Sequence, residues 1–222
     1  MHDPYLYDDC PVLKNKLGIK DLETLDKAEV EFSCNAIHYL LTNPITGEHD
    51  FKHLCKFHER IFGDVYDWAG QPRIVPIEKQ EAVLGYMSIE YAKPQDIAKE
   101  ADAILQKLNF INWGELSCDE QATALSSGLA ELWKIHPFRE GNTRTTITFI
   151  CQFAESKGIP LDRSLFEQNA MYMRNALVAA SAIFSDGDFR KPEYLFRIVK
   201  DSIVRGARKI GLKNYEKLNK GL

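Results

Sequence analysis

The sequence lacks several features that would each indicate a particular class of protein. It has no uninterrupted apolar run near ~20 residues, the length that a membrane-spanning helix needs. Its first nine residues are acidic and aromatic, which is not typical of a signal peptide. Neither Gly-x-x-x-x-Gly-Lys-Ser/Thr nor Gly-x-Gly-x-x-Gly occurs, so the usual P-loop and dinucleotide-binding folds are not predicted.

Cysteine and net charge are also scarce. The five cysteines are widely scattered and form no Cys-x-x-Cys pair, which fits reduced thiols better than a disulfide framework. A net charge of −4 over 222 residues gives no general attraction to nucleic acid or to an anionic membrane. We therefore expect a cytoplasmic protein, or one delivered to another cell's cytosol, with neither nucleic acid nor membrane as a partner. Homo-oligomerisation stays open.

Helical periodicity dominates the pattern that is present. Apolar residues recur at helical spacing from about Leu22, and they do so again in six later segments. Ser117 and Glu120 form a capping box at the start of one of these helices. A short extended segment at residues 73–77, with residues 79–84 as its return arm, is the only β-structure expected. The prediction is a mostly helical protein with a small β-hairpin.

One domain accounts for this pattern. There is no internal repeat, no low-complexity tract and no linker-like change of composition. We predict an N-terminal arm over residues 1–20, a single helical domain over residues 21–209 and a basic tail over residues 210–222. Because runs of charge usually face water, the tail is interpreted as a solvated segment.

Residues 135–144 carry the clearest chemical signal. They read Ile-His-Pro-Phe-Arg-Glu-Gly-Asn-Thr-Arg between two helical patterns. A helix that begins after such a Gly-Asn turn points unpaired backbone N–H groups at whatever precedes it, which suits a phosphate. His136 is then a candidate general base, Glu140 a metal-facing carboxylate and Arg144 a phosphate-binding guanidinium. We interpret the stretch as a phosphate-handling active site.

The order and spacing of this stretch resemble the core motif of the Fic family, His-x-Phe-x-(Asp/Glu)-Gly-Asn-x-Arg-x-x-Arg. The matching positions are His136, Phe138, Glu140, Gly141, Asn142 and Arg144. Residues 68–73 also resemble the segment before the family's flap, the hairpin that holds the target polypeptide, and residues 74–79 match the flap strand. The resemblance covers roughly residues 25–205 and implies a Fic-type helical bundle.

The resemblance also implies a reaction, the transfer of AMP from ATP to a Ser, Thr or Tyr hydroxyl of a target protein. His136 would take the proton of that hydroxyl as general base. Glu140 would hold a Mg²⁺ ion, which prefers hard oxygen ligands. Backbone N–H groups of Gly141, Asn142 and Thr143 would line an anion hole, with the Asn142 side chain assisting. Arg144 would pair with the outgoing pyrophosphate, and Phe138 would anchor the loop.

Two further sets of site residues follow from the same resemblance. Main-chain pairing along the flap would hold the target independently of its sequence. The residues expected to do so are Ile74, Val75, Ile77 and Lys79. Arg174 and Ser181, on the helix after the motif, are candidates for the nucleotide pocket, and ordinary helix-face positions are the alternative interpretation.

The chain departs from the family pattern at two positions. Thr143 stands where glycine is commonest, and threonine is acceptable near a helix start. Ile147 stands where the motif has its second arginine, which removes one charge-assisted contact worth ~1.5–3 kcal/mol. The family's inhibitory sequence, Ser/Thr-x-x-x-Glu-Gly/Asn, is absent as well. Any inhibitor would then be a separate small protein, as in the toxin–antitoxin members of the family.

Alternatives to AMP transfer stay open at this point. A Fic-type fold that binds the nucleotide reversed would transfer phosphate, and a non-catalytic module would sense nucleotide or dock a partner. A zinc site is not expected from His49, His53, Cys55 and His58, because the last three cannot face one way on a helix. The target protein cannot be named from the sequence.

Overall fold

The structure, a computed structural model, describes residues 3–211. Within this range the α-helices are α1 (Leu22–Thr42), α2 (Phe51–Phe62), α3 (Ile97–Phe110), α4 (Cys118–Ile135), α5 (Asn142–Ser156), α6 (Arg163–Gln168), α7 (Ala170–Ala180) and α8 (Glu193–Lys209). Short 3₁₀ turns lie at Ala82–Leu84, Pro94–Asp96 and Trp113–Glu115. The predicted helical class is therefore confirmed. No helix within the described residues is long and apolar enough to cross a membrane.

The starts of three helices follow directly from their capping residues. The side chains of Asp21 and Asp50 accept hydrogen bonds from first-turn N–H groups of α1 and α2. Ser117 and Glu120 form the predicted capping box at the start of α4. Helix α5 differs, because its N-cap is Gly141 in a left-handed conformation without a side-chain cap. Its first N–H groups are therefore left for other partners.

Helix α4 is the centre of the core. It packs against α3, α5, α7 and α8, and α2 lies between α1 and α5. Because neighbours surround α4 on several sides, most of its residues are buried, including Leu132 and Trp133, which are fully buried. The C-terminal end of this buried helix leads directly into His136, so the packing of the core determines where the candidate base lies.

The β-structure lies elsewhere than predicted. The described sheet is an antiparallel pair of two-residue strands, β1 (Ile183–Phe184) and β2 (Gly187–Asp188). The expected return arm at residues 79–84 makes no backbone hydrogen bond with residues 73–77. It contains a 3₁₀ turn, and its bridge, between Glu81 and Met87, is to the chain that follows. Gly85 and Tyr86 both have positive φ and reverse the chain within a few residues, so the two arms meet at one pair. Strands as short as β1 and β2 leave no alternating pattern for the sequence to reveal.

The N-terminal arm packs against the body of the protein. Tyr5 and Val12 are buried, and the backbone of Leu6 bridges that of Leu13. The ring of Tyr5 makes an edge contact with Trp68, with centroids 5.4 Å apart. This contact brings the arm to the base of the segment that was predicted to be a flap. Of the predicted basic tail, residues 212–222 lie outside the described residues.

Candidate active site

The loop between α4 and α5, residues 136–142, is called the motif loop below. His136 ends α4 with φ +52°, and its N–H donates to the Trp133 carbonyl at 3.0 Å. Its side chain is buried and lies 4.2 Å from the Tyr91 ring, centroid to centroid. Neither ring nitrogen has a hydrogen-bond partner among residues 3–211. The imidazole is thus held by ring contacts at the wall of the cleft, and in its neutral form one of the two nitrogens can accept a proton.

The surroundings of His136 favour its neutral form. Burial lowers the pKa of His136 well below its ordinary value of 6.5, and the positive charges of Lys79, Arg174 and Arg73 lower the pKa further. At neutral pH the ring therefore carries no charge. A neutral imidazole is the form that can accept a proton.

Arg73 ties the motif loop to the segment before the flap. Its side chain is 1% exposed, and its own N–H donates to the Pro137 carbonyl at 2.8 Å. The guanidinium donates to four backbone carbonyls, those of Ile135, His136, Val75 and Ala92. Because one buried cation satisfies carbonyls of three chain segments, Arg73 determines how these segments sit around His136. The sequence placed Arg73 next to the flap, but it gave no sign of this role.

His58 of α2 holds the other side of the motif loop. Its ring is buried and stacks on Phe138 with centroids 3.9 Å apart. Its Nδ1 accepts the Gly70 N–H at 2.8 Å, so the hydrogen must lie on Nε2, which donates to the Glu140 carbonyl at 3.0 Å. Burial lowers the pKa of His58 to about 3. His58 is therefore a neutral structural residue, and Phe138 anchors the loop against it as predicted.

Asn142 closes the motif loop on itself. Its Oδ1 accepts the Phe138 N–H at 2.8 Å, and its Nδ2 donates to the Phe138 carbonyl at 2.7 Å. Both ends of the amide are therefore used inside the loop. The side chain determines the shape of the cradle, and the backbone N–H remains at the start of α5.

Gly141 is the position where the loop requires glycine. Its φ is +77°, and a Cβ atom there would lie 2.3 Å from the ring of Phe62. Thr143 also belongs to the cradle, and its Oγ1 accepts the indole N–H of Trp133 at 2.9 Å. Thr143 is thus accommodated through its side chain, where the family motif commonly has glycine.

Arg144 borders the cleft but is anchored from behind by α1. It donates to Ser33 Oγ at 2.7 Å and to the Glu29 carboxylate, and its Cζ lies 4.8 Å from the Phe62 ring centroid. The second oxygen of Glu29 accepts the hydroxyl hydrogen of Tyr66. The sequence contained a signal for this anchor, because Glu29 and Ser33 are polar residues four apart on the inward side of α1.

Glu140 faces Lys79 across the cleft. Lys79 Nζ lies 3.0 Å from Glu140 Oε2, and the N–H of Gly141 donates to Oε1 at 2.9 Å. Burial alone would raise the pKa of Glu140, but Lys79, the Gly141 N–H and Arg144 together lower it below its ordinary value. Glu140 is therefore a carboxylate at neutral pH.

These side chains enclose a cleft of about 290 Å³. It is lined by Lys79, His136, Glu140, Gly141, Asn142, Thr143, Arg144 and Arg174. The cationic side chains outnumber the single carboxylate, so the cleft suits a polyanion. Arg174 is held by both oxygens of Glu81, at 2.9 and 3.0 Å. The predicted phosphate-binding residues thus lie together, with one exception.

That exception is Ser181. Its hydroxyl points at the Ala130 carbonyl, 3.4 Å away, and the residue lines a separate cavity beside β1 and the start of α8.

A third cavity, of about 580 Å³, lies on the other side of α7. It is lined by Val83, Leu84, Tyr172, Asn175, Ala176, Ala179, Phe189, Lys191 and Tyr194. Because Asn175 adjoins Arg174, α7 forms part of the wall of both this aromatic cavity and the cleft.

The predicted flap residues lie at the rim. Ile74 is 70% exposed, and its N–H donates to the Tyr5 hydroxyl at 3.2 Å. The Val75 carbonyl accepts from Arg73, whereas the backbone N–H and carbonyl of Ile77 make no hydrogen bond within residues 3–211. One extended stretch beside the cleft thus leaves backbone groups open.

The sequence as a whole is similar to known proteins. A sequence model of the Fic/DOC family matches residues 48–154. The chain is 37% identical over 174 residues to the protein adenylyltransferase VbhT of Bartonella schoenbuchensis, an alignment that covers 77% of this chain and 34% of VbhT. It is 34% identical over 171 residues to the "Probable protein adenylyltransferase y4lH" of Sinorhizobium fredii, covering 75% and 83% of the two chains. The chain thus spans about a third of VbhT and most of y4lH.

Solved structures share the fold. The N-terminal Fic domain of a VirB-translocated Bep effector protein from Bartonella quintana matches with a TM-score of 0.72 and 25% identity, covering 89% of this chain and 90% of that chain. BepC of Bartonella tribocorum, solved with bound AMPPNP, matches with a TM-score of 0.73 and 23% identity, covering 89% and 95%. The helical architecture described above is therefore the architecture of these domains.

Proposed function

Because the chain belongs to the Fic/DOC family, we propose that it is a protein adenylyltransferase, which moves AMP from ATP to a hydroxyl group of a target protein. The observation that carries the proposal is His136, a buried neutral imidazole with unpartnered nitrogens at the wall of a cationic cleft. The names of the relatives, "Protein adenylyltransferase VbhT" and "Probable protein adenylyltransferase y4lH", support the same reaction.

In the proposed reaction, His136 accepts the proton of the target hydroxyl as its oxygen attacks the α-phosphate. A bond forms between that oxygen and phosphorus, and the bond from phosphorus to pyrophosphate breaks. Arg144 and Arg174 offset the negative charge on the phosphates, and the N–H groups at the start of α5 bind the oxygens. Since phosphoryl-type transfer depends mainly on positioning and charge, fixed groups of this kind contribute directly to the reaction.

Glu140 suits a magnesium ion that arrives with the nucleotide. Mg²⁺ is commonly bound by one or two carboxylates plus substrate phosphates, and Glu140 is an ionised carboxylate that already attracts the cation Lys79. The described residues contain no cluster of three or more His, Cys, Asp or Glu side chains that could hold a metal alone. The ion would therefore need the phosphates as ligands, and when bound it would neutralise part of their charge.

In the proposal, the adenine of ATP and the target protein bind at different places. The aromatic cavity on α7 suits adenine, because Tyr172, Phe189 and Tyr194 offer flat apolar faces next to the arginine of the phosphate cleft. The open backbone at Ile77, with Ile74 and Val75, suits pairing with an extended loop of the target. Lys79, also predicted to bind the target, reaches into the cleft instead and is considered separately below.

A small inhibitory protein is the second partner that we propose. Ile147 lines an apolar pocket of about 150 Å³ together with Ile37, Leu41 and Phe166, and Arg144 lies at its edge. Without an arginine at position 147, this pocket suits an apolar side chain of an antitoxin-like helix. Purification from source cells without a small companion protein would count against the inhibitor.

The proposed compartment is the cytosol of its own or another cell, where ATP and target hydroxyls are available.

Labelled ATP tests the reaction directly. The protein is incubated with Mg²⁺ and α-labelled ATP, with and without cell lysate, beside His136→Ala and the exposed-histidine control His38→Ala. We expect label in protein with the native chain and with His38→Ala. His136→Ala should lower the rate by about 10²–10⁴-fold, the usual contribution of a general base. Equal labelling by His136→Ala would overturn the assignment of the base.

The same assay separates the two other functions. Label transferred from γ-labelled ATP, and not from α-labelled ATP, would indicate phosphate transfer by the same fold. ATP binding without transfer from either label, in lysate of the source cells, would indicate a nucleotide-sensing module.

A further inference from the structure

The cationic side chains of the cleft differ in what holds them. Arg144 is paired with Glu29 and Arg174 with Glu81, and the side chains of these two carboxylates are only 9% and 6% exposed. Neither carboxylate lines the cleft. Both arginines therefore have buried carboxylate partners outside the cleft, and the charge that each can offer a ligand is partly compensated.

Lys79 has no such partner among residues 3–211. Its only ion pair within the described residues is with Glu140, the carboxylate proposed to meet the metal. Its backbone is fixed by the N–H bond to Ser88 Oγ at 3.1 Å, so the side chain starts from a defined point. A lysine ammonium is a point charge with three donors on a flexible stem, so it can exchange one oxygen acceptor for another without a change of backbone.

The positive charge of Lys79 matters more because of Ile147. Ile147 lies on α5 one turn beyond Thr143 and lines a pocket with Ile37, Leu41 and Phe166. Helix α5 therefore offers the phosphates only one arginine, Arg144. A triphosphate carries several negative charges, and each fixed cation that contacts it strengthens binding.

We propose that Lys79 is a ligand of the nucleotide phosphates, held by Glu140 in the empty cleft, and that it supplies the positive charge that Ile147 does not. This inference rests on the proposed function and deepens it. When the charge of Glu140 is engaged by a cation, its pull on Lys79 weakens, and phosphate oxygens become the better acceptors. Lys79 then belongs to the nucleotide site and not to target recognition.

Calorimetric titration of the full chain with ATP tests the proposal without requiring transfer. In excess Mg²⁺ we expect Lys79→Met to weaken ATP binding at least tenfold, equivalent to about 1.4 kcal/mol, the lower range for a bond between charged groups. Lys79→Arg should stay within about threefold of the native chain, because it keeps the charge. Lys93→Met, at an exposed lysine away from the cleft, is the matched control and should change binding less than twofold, about 0.4 kcal/mol.

Two double variants isolate the contact itself. In EDTA, Glu140→Gln frees Lys79 and should tighten ATP binding, and adding Lys79→Met should remove most of that gain. In Mg²⁺, Ile147→Arg should restore at least half of the binding free energy that Lys79→Met loses. Thermal unfolding of each variant shows whether it is folded.

One result of the titration would overturn the proposal. If Lys79→Met binds ATP as tightly as the native chain with and without Mg²⁺, Lys79 is not a phosphate ligand. The result is also independent of the reaction. A chain that binds ATP in a Lys79-dependent way but labels no protein would retain this inference and overturn adenylyl transfer, whereas labelling with Lys79-independent binding would do the reverse.

Discussion

The motif loop and the flap, defined as residues 74–87, adjoin the same cleft but are built in opposite ways. In the motif loop, His136, Phe138 and Asn142 are almost completely buried, and hydrogen bonds from Arg73 and His58 hold the backbone. The flap is largely exposed, with exposed fractions of 70% for Ile74, 45% for Val83, 69% for Tyr86 and 56% for Met87. Its two arms are joined by one backbone bridge.

This difference matches the two tasks in the proposed reaction. Groups that act on the transferred phosphate must hold their positions to within a fraction of an ångström, which buried contacts ensure. A strand that accepts different target loops needs unpaired backbone N–H and carbonyl groups, whereas those of a packed strand are already paired. Arg73 and Lys79 connect the two regions, because Arg73 donates to the His136 carbonyl and Lys79 pairs with the Glu140 carboxylate.

Replacing Arg73, which connects the two regions, should cause the largest loss of stability. Arg73→Met leaves four backbone carbonyls without their donor, two of them in buried contacts, and should lower the free energy of unfolding by about 3–5 kcal/mol. Urea unfolding monitored by tryptophan fluorescence measures this loss. Arg73→Lys keeps the charge and loses the fork, so it should lie between Arg73→Met and the native chain. A loss below about 1 kcal/mol for Arg73→Met would contradict the role of Arg73 as the tie between the two regions.

Two glycines compare the regions directly. Gly141 and Gly85 both have positive φ, of +77° and +63°. A Cβ atom at Gly141 meets Phe62, whereas one at Gly85 meets no atom of residues 3–211 within 4 Å. Gly141→Ala should destabilise the fold by about 2–4 kcal/mol through strain and overpacking. Gly85→Ala should add only backbone strain of about 1–2 kcal/mol. Equal losses in urea unfolding would mean that the motif loop can shift away from Phe62.

Acid should weaken the motif loop before it affects the flap. His58 has an ordinary pKa of 6.5 in the unfolded chain and about 3 in the folded one, so only the unfolded chain takes up its proton between these values. Stability is unchanged above pH 6.5 and falls as pH drops below it, by up to about 1.4 kcal/mol per pH unit for this group.

Unfolding of the native chain and of His58→Asn at pH 7.5, 6 and 5 isolates this contribution. His49, whose pKa burial and His53 lower to about 4, contributes in the same direction in both chains, as do His53 and His136, whose pKa values burial also lowers. The variant should therefore show a slope smaller by about one proton. Parallel slopes would show that His58 is not held neutral. The flap contains no histidine.

The smallest stability effect is expected at Ile77. Because its backbone N–H makes no bond within the described residues, Ile77→Pro should change the free energy of unfolding by less than about 0.5 kcal/mol. It nevertheless removes a donor for the target strand and should raise the KM for the target protein, with ATP binding unchanged. Ile77→Ala keeps the N–H and is the control. Unchanged target kinetics in Ile77→Pro would show that the target does not pair there.

Helix positions and the motif loop were predictable because their causes are local. The capping box at Ser117 and Glu120, the helical spacing along α4 and the Gly-Asn turn each act within a few residues. The flap was predicted less well. Its extended arm was expected, but the chain reversal at Gly85 and Tyr86 and the single bridge between Glu81 and Met87 depend on backbone conformations that no residue pattern marks.

The sequence by itself determined the helical class, the motif loop and the identity of the candidate base. Only the tertiary structure decided which residues support that loop. Glu29 meets Arg144 across 115 positions of the chain, and Arg73 meets the His136 carbonyl across 63. It also decided that Ser181 lies in another cavity and that Lys79 points at Glu140. The physical reason is that such contacts form only when distant segments pack together, so local spacing can show that a polar residue faces inward, as at Glu29, but not which residue it meets.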